Sequence, residues 1–350
     1  MKKEKILEIF KNHFKSEGLK VEFRNKNKLK WNEALDKMSY VPCNYLFYSL
    51  EYEYEYQTLF NDECIDCSII IKKYDDVFIV WPILITKKAR KYQLITYDNT
   101  IYSPLVSKLL SLKNKKEVNN LCYDLVKKIS NKLKIKTIRI IDSFKNEIDI
   151  SIWHQNIIRN NPLLNVKYDL MLNLIDDLKS IKRNFRKSSK SLINKGFKIW
   201  NVKVMESLDK SKWEEFINLH FKVSGKKTRS NKTWDILKKQ IQAKEAFLVY
   251  LEDDKNKIVG GGFFNFSKYE CSYRVGVYSR NLFDKPLGHT VQAKAIEIMK
   301  KKLIIWYNIG PDYFEFYNPK PNEKEISISY FKKGFSSHIV PKYEFIIKFK

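Results

Sequence analysis

Residues for metal and covalent chemistry are few in this chain. Its 350 residues include five cysteines and five histidines. Cys43, Cys122 and Cys271 stand alone. Cys64 and Cys67 make one C-x-x-C, but no second pair or suitably spaced histidines follow, so no metal site is expected. Long apolar runs are missing too, and none reaches the length that crosses a bilayer. The opening MKKEKILEIFKNHFKSEGLK has charges spaced throughout, which excludes a signal-peptide core and reads as an amphipathic helix. These absences place the protein in the cytoplasm, free or at the inner face of the membrane.

Hydrophobic residues at 44% and aromatics at 14% describe a globular protein, and the length suffices for two domains with separate cores. The net charge of +26 suits a nucleic acid or an anionic membrane surface. Arginine supplies only nine of the 66 basic residues, and the chain is rich in Lys, Asn and Ile. Compositional drift in an AT-rich genome accounts for the charge equally well.

Periodicity gives the same order of elements twice. In the first half, Cys67–Lys73 and Asp76–Ile85 read as a hairpin, 114–133 as a helix with Val118, Leu121, Leu125 and Ile129 on one face, and Thr137–Ile141 as a buried strand. The region 156–168 lacks a clear period and holds Asn160-Asn161-Pro162, so the boundary is placed there, giving domains 1–165 and 166–350. The second half opens with a strand at Tyr168–Leu174 and a helix over 176–195. That helix starts at Asp176-Asp177, carries Lys179, Arg183, Arg186 and Lys190 on one stripe, and ends at Gly196. Helices over 211–222 and 233–244 and a strand at Ala246–Glu252 follow. A hairpin then alternates Tyr273, Val275 and Val277 against Arg274, Gly276 and Tyr278. A helix over Gly288–Lys302 comes next, and a strand at Leu303–Ile309 that Gly310-Pro311 turns away.

Taken together, WNEALDKMSYVPCNYLFYSLEYEYEY, CSIIIKKYDDVFIVWPILI, LKSIKRNFRKSSKSLINKGFKI, IVGGGFFNFSKYECSYRVGVYSRN, LGHTVQAKAIEIMKKKLIIWYNIGP and YFKKGF resemble, in this order, the FemAB-type transferases and the related cellulose-biosynthesis acetyltransferase-like proteins. The resemblance implies a mixed-sheet α+β fold of two tandem GNAT-like domains with a cleft between them. It also implies transfer of an acyl or aminoacyl group to an amine or hydroxyl of a cell-wall precursor or surface-glycan sugar, lipid-linked or not. The donor is acyl-CoA or aminoacyl-tRNA, with no tightly bound cofactor. In CoA-using GNAT enzymes a Gly-rich loop and a helix N-terminus hold the pyrophosphate. Here that stretch reads SRNLFDKPLGH, with one glycine, Gly288, and with Pro286 removing a donor, which departs from that pyrophosphate-holding pattern. The long helical arm of the Gram-positive bridge-forming members is also missing.

Acyl transfer needs a base or a desolvated pocket, donors for the oxyanion, and an acid for the leaving group. Asp312 is the preferred base. His289 and Tyr278 are candidate proton-transfer groups, each with an ordinary packing or helix-start role as the alternative. Arg274 is a candidate anion clamp or a surface ion pair with Glu270. Tyr273, Asn308 and Tyr313 are placed along the substrate cleft. Arg183, Arg186 and Lys332 are candidate phosphate contacts or solvated surface. Cys271 reads as core. Two other functions remain open: an acetyl-CoA-dependent sugar N-acetyltransferase, and a non-catalytic GNAT-like module that binds RNA or an anionic membrane.

Overall fold

Turn chemistry and apolar spacing set the local elements. The structure, a computed structural model, describes residues 1–24, 27–97, 99–142, 144, 150–226 and 228–349. The chain forms two units, Met1–Lys167 with Lys342–Lys350, and Tyr168–Pro341.

In the first unit, α1 (Lys3–Lys15) buries Ile6, Phe10 and Phe14, spaced one turn apart. Then come β1 (Lys20–Phe23), α2 (Lys28–Leu35), α3 (Phe47–Gln57), β2 (Glu63–Asp66), β3 (Ile69–Lys73), β4 (Asp76–Trp81), β5 (Leu84–Lys88), β6 (Lys91–Ile95), β7 (Ile101–Tyr102) and β8 (Leu105–Val106). Small sheets form in the orders β1-β3-β4-β8 and β2-β5-β6. The α4 helix (Leu112–Leu133) is capped by the Ser111 hydroxyl, which accepts from the Asn114 N–H. It leads to β9 (Thr137–Asp142), which pairs in parallel with β7, and α5 (Ile152–Ile158) follows. Trp81, Trp153, Phe10, Ile129 and Phe345 belong to the core of this unit.

The chain enters the second unit through β10 (Leu163–Asn173) and continues with α6 (Leu178–Arg183), α7 (Lys187–Ile199), β11 (Asn201–Met205), α8 (Lys210–Ser224), α9 (Asn231–Gln242), β12 (Ala246–Glu252), β13 (Ile258–Phe266), β14 (Glu270–Tyr278), α10 (Gly288–Lys301), β15 (Trp306–Asp312) and α11 (Glu323–Lys333). Its strands lie in the order β11-β12-β13-β14-β15-β10. Every pairing is antiparallel except β14 with β15, which α10 connects as a crossover. Leu170, Phe247, Phe264, Val291, Ile296 and Tyr307 fill the core beneath α10. The last strand, β16 (His338–Lys348), pairs with β9 from Tyr343↔Asp142 to Lys348↔Thr137 and so returns to the first unit.

Several sequence expectations differ from this arrangement. The sequence reading gives all of 166–350 to the second domain, whereas Lys342–Lys350 belong to the first unit, where Tyr343–Lys348 pair with β9. The helix expected over 176–195 is two helices. Asp177 caps α6 as anticipated, accepting from the Lys179 and Ser180 N–H groups, but the Arg186 N–H donates to the Gly334 carbonyl and interrupts the ladder. Gly196 lies inside α7 instead of ending it. A Cβ there would stand 1.8 Å from Thr290 Oγ1 and 2.9 Å from the Pro286 carbonyl oxygen, so the glycine lets α7 close onto α10. Leu303, expected in a strand, is exposed and has positive φ, and β15 starts at Trp306 and runs through Gly310-Pro311.

Candidate active site

Two parallel strands that part company create the candidate site. β14 and β15 pair only at Glu270↔Trp306, Cys271↔Tyr307 and Ser272↔Asn308, although both continue further. Each carries one extra residue just past the last pair. On β14, Phe263 and Phe264 face Val275 and Tyr273, which leaves Arg274 as a bulge. On β15, Leu170 and Met171 face Gly310 and Asn308, which leaves Ile309 as a bulge. Bulges bend a strand and sharpen its twist, and here they lie where the strands diverge. The opening faces the carboxyl ends of the parallel pair, the usual ligand side of such sheets.

The Arg274 bulge also reverses the alternation read from the sequence. Tyr273 and Tyr278, assigned to opposite faces, have hydroxyls 2.9 Å apart. Glycines make room for both rings. A Cβ at Gly276 would lie 1.9 Å from the Tyr273 hydroxyl, and one at Gly260 would lie 2.6 Å from Tyr278 Cδ1. Burial pushes the Tyr273 phenol up to about 12 and the Tyr278 phenol well above its ordinary value, so both remain protonated donors at neutral pH. Behind them the Tyr307 hydroxyl donates to Gln292 Oε1 at 2.5 Å, and the Gln292 amide neighbours Tyr273. Gln292 escaped the sequence reading because a lone polar residue on an amphipathic helix reads as its solvent face, and Tyr307 because it sits in an apolar run.

The α11 helix closes the other side. A Cβ at Gly288 would stand 2.9 Å from Phe331 Cζ and 3.5 Å from Tyr278 Cζ, so aromatic rings cover the start of α10. His289 packs edge-on against Phe331, with ring centroids 4.9 Å apart. Burial, and then the Arg186 guanidinium, lower its pKa to about 4, so the imidazole is neutral near pH 7. Arg186 itself stacks over Tyr330 at 3.9 Å and donates to the Tyr330 carbonyl. Asp312 is buried at the end of β15, where Ser329 Oγ donates to one of its oxygens at 2.5 Å and Lys333 Nζ to the other at 3.1 Å. The Tyr313 N–H donates to the same Ser329 hydroxyl. These bonds tie α11 to β15.

Lys332 stands apart from its neighbour Lys333. Its Nζ lies 2.5 Å from where a Cβ on residue 310 would be, over the backbone of the bulged strand. Gly310 has φ +123, which only glycine adopts without strain. Burial lowers the Lys332 pKa to about 8, and the Asp169 carboxylate offsets that only in part. The fold therefore gathers Tyr273, Tyr278, His289, Arg186, Asn308, Asp312, Tyr313 and Lys332 around the β14, β15, α10 and α11 elements. Arg274 is half-buried at its bulge. Arg183 is not in this group. It is exposed at the end of α6, where its carbonyl accepts from Lys190 Nζ. Cysteine chemistry has no place here, because burial raises the Cys271 thiol well above its ordinary value. Elsewhere, burial pushes Cys64 up to about 12 and raises Cys67 further from reactivity, and among the described residues no cluster could hold a metal ion.

No protein-family model matches the chain, and a search of curated proteins finds no match. Solved structures do match in fold. FemX superposes with a TM-score of 0.68 at 14% identity, over 93% of this chain and 97% of FemX. L-PGS from Bacillus licheniformis gives 0.57 at 12% identity, over 93% of each chain. A tandem GNAT protein from the clavulanic acid biosynthesis pathway gives 0.51 at 9% identity, over 94% of this chain and 98% of that one. The chain has the FemAB-like tandem GNAT fold, an α+β arrangement with mixed sheets.

Proposed function

We propose that this protein is an acyl- or aminoacyltransferase whose reaction takes place at the open end of the β14/β15 pair. The carrying observation is the desolvated Lys332 ammonium poised over the bulged backbone at Gly310. An amine or hydroxyl attacks the donor's ester or thioester carbonyl, and the carbonyl oxygen takes up the negative charge. A positive charge held in a water-poor site stabilises that oxyanion far better than one in bulk water. As the tetrahedral intermediate collapses, the carbon–heteroatom bond to the carrier breaks, the leaving oxygen or sulfur takes a proton from the tyrosine pair, and the attacking nitrogen or oxygen gives its own proton back to that pair. The Tyr273–Tyr278 pair is the proton-bearing group on the facing strand. In this reading Asp312 positions α11, and His289 is a neutral packing partner. The acceptor is a cell-wall precursor or a surface-glycan sugar.

For the donor, the charged tRNA is favoured over a CoA ester. Phe331 and Tyr278 occupy the space over Gly288, and α7 closes onto Thr290 through Gly196. Those contacts crowd the helix start on which CoA-using enzymes seat a pyrophosphate, and this supports the tRNA reading. The charge of +26 suits a nucleic-acid backbone. The test is a binding screen of acetyl-CoA and longer CoA esters against charged and uncharged tRNA, followed by transfer of the radiolabelled group to lipid-linked and nucleotide-linked sugars. Aminoacyl-tRNA binding with transfer that Lys332→Met abolishes supports the reading. Tight, salt-steep tRNA binding with no transfer would reduce the protein to a binding module. Saturable CoA binding with sugar acetylation would restore the acetyltransferase alternative.

A further inference from the structure

The first unit holds a cleft that plays no part in the reaction proposed above. It measures about 340 Å³, within the range of small-molecule sites of about 300–1,000 Å³. Its lining mixes the apolar Leu105, Val106, Ile152 and Trp153 with Tyr40 and Lys115. Those residues come from β8, α4, α5 and the loop after α2, which a bridge between Met38 and Ser107 holds against β8.

The surroundings of this cleft are amphiphilic. Leu112 and Ile150 line it and are nonetheless 62% and 45% exposed, and Leu109, just before α4, is 74% exposed. Large apolar side chains left in water beside a partly apolar cleft mark a surface meant to be covered. The same helix start is basic. Lys108, Lys113, Lys115 and Lys116 alternate with the leucines, and the Lys108 N–H donates to the Lys37 carbonyl, which places a fifth lysine on the adjoining loop. Against them stand Asp36 and Glu117, the latter 3.9 Å from Lys113. A cleft walled on one side by apolar side chains and on the other by Ser39, Asn119, Ser151 and Gln155, with lysines at its mouth, matches a molecule with an apolar tail and an anionic, hydrogen-bonding head.

We propose that this cleft binds an anionic amphiphile, with the acyl chain against Leu105, Val106 and Trp153 and the phosphate or carboxylate head at Lys115. Such a site would anchor the protein beside a lipid-borne substrate, or hold a free acyl phosphate or fatty acid. It is independent of the β14/β15 site, and either reading stands without the other.

The probe is dodecyl phosphate below its micellar concentration, measured by equilibrium dialysis on the full chain. Dodecyl maltoside and inorganic phosphate serve as tail-only and head-only controls. One molecule should bind per chain, with both controls at least tenfold weaker. Lys115→Glu, at a half-buried position, and Leu112→Asp, at an exposed one, should each weaken binding about tenfold or more while leaving the melting temperature unchanged. Val106→Trp should fill the cleft and give the same loss. A second arm sediments the protein with vesicles of phosphatidylglycerol and phosphatidylcholine. If Leu112→Asp and Lys115→Glu abolish sedimentation, the source is a bilayer lipid. If sedimentation is unchanged while dodecyl phosphate binding falls, the source is a free amphiphile. No binding of dodecyl phosphate, or equal binding by all three variants, overturns the proposal.

Discussion

Replacing Lys332 by methionine should make the protein more stable and less active at once. The lysine's pKa falls from 10.5 to about 8 on folding, chiefly because burial penalises the charged form. A difference of about 2.5 units at 1.36 kcal/mol each corresponds to about 3 kcal/mol. The sign follows from proton counting. Between pH 8 and 10.5 the unfolded chain holds more protons than the folded one, so wild-type stability rises with pH across that window. Below pH 8 the folded state carries the whole penalty. Methionine fills similar space without charge, so Lys332→Met should gain up to about 3 kcal/mol at pH 7, with the gain shrinking toward zero as the pH approaches 10.5. Urea unfolding of both proteins at pH 7 and 9.5 measures this without knowing the substrate, and taking their difference removes the buried tyrosines' contribution. With a donor and acceptor in hand, transfer by the variant should fall by about 10²–10³, the cost of one oxyanion donor. The wild-type rate should fall tenfold per pH unit above about 8, as the ammonium is lost. A variant less stable than wild type at pH 7, or a rate that rises through pH 8, refutes the argument. The second result would make Lys332 a general base.

Other substitutions separate positioning from chemistry. Tyr273→Phe leaves the Tyr278 hydroxyl without its 2.9 Å partner and should cost about 1–3 kcal/mol in urea unfolding, part of which the double Tyr273→Phe/Tyr278→Phe variant should recover. Asp312→Asn removes the ion pair to Lys333 and weakens the bond from Ser329; it should lower α11 protection in hydrogen exchange while leaving the shape of the pH–rate profile unchanged. His289→Phe should leave that profile unchanged between pH 5 and 8, since His289 titrates near 4. Gly196→Ala forces a Cβ to within 1.8 Å of Thr290 Oγ1, and overpacking of that kind should cost about 1–3 kcal/mol in thermal unfolding.

How much of this was legible in the chain depends on the range of the interaction. The β13/β14 hairpin, α10 and the Asp177 cap are written in neighbouring residues, and their spacing finds them. The return of β16 to β9 is a pairing between distant segments, and no window on the sequence contains it. The site was half legible. YFKKGF marked Lys332 through a resemblance, but its neighbour Lys333 looks the same in the sequence, and only burial separates them: Lys332 is largely desolvated, whereas Lys333 is exposed and paired with Asp312. Strict alternation put Tyr273 and Tyr278 on opposite faces because a one-residue bulge has no signature among strand-forming residues.

That bulge links the geometry to the choice of donor. Without the extra residue, Tyr278 would point to the opposite face of β14 from Tyr273, and the start of α10 would lose one of the rings that cover it. With it, Tyr278 lies against Gly288 beside Phe331, and Gly196 brings α7 onto Thr290 from the other side. Glycine at 288 and 196 therefore serves close packing. In a phosphate cradle the same residue would free the backbone to meet an anion. The tRNA donor proposed above rests on this crowding of the helix start by Phe331 and Tyr278. In the reaction proposed above the positive charge for the oxyanion comes from Lys332, on the same helix as Phe331, at the open end of the parallel pair.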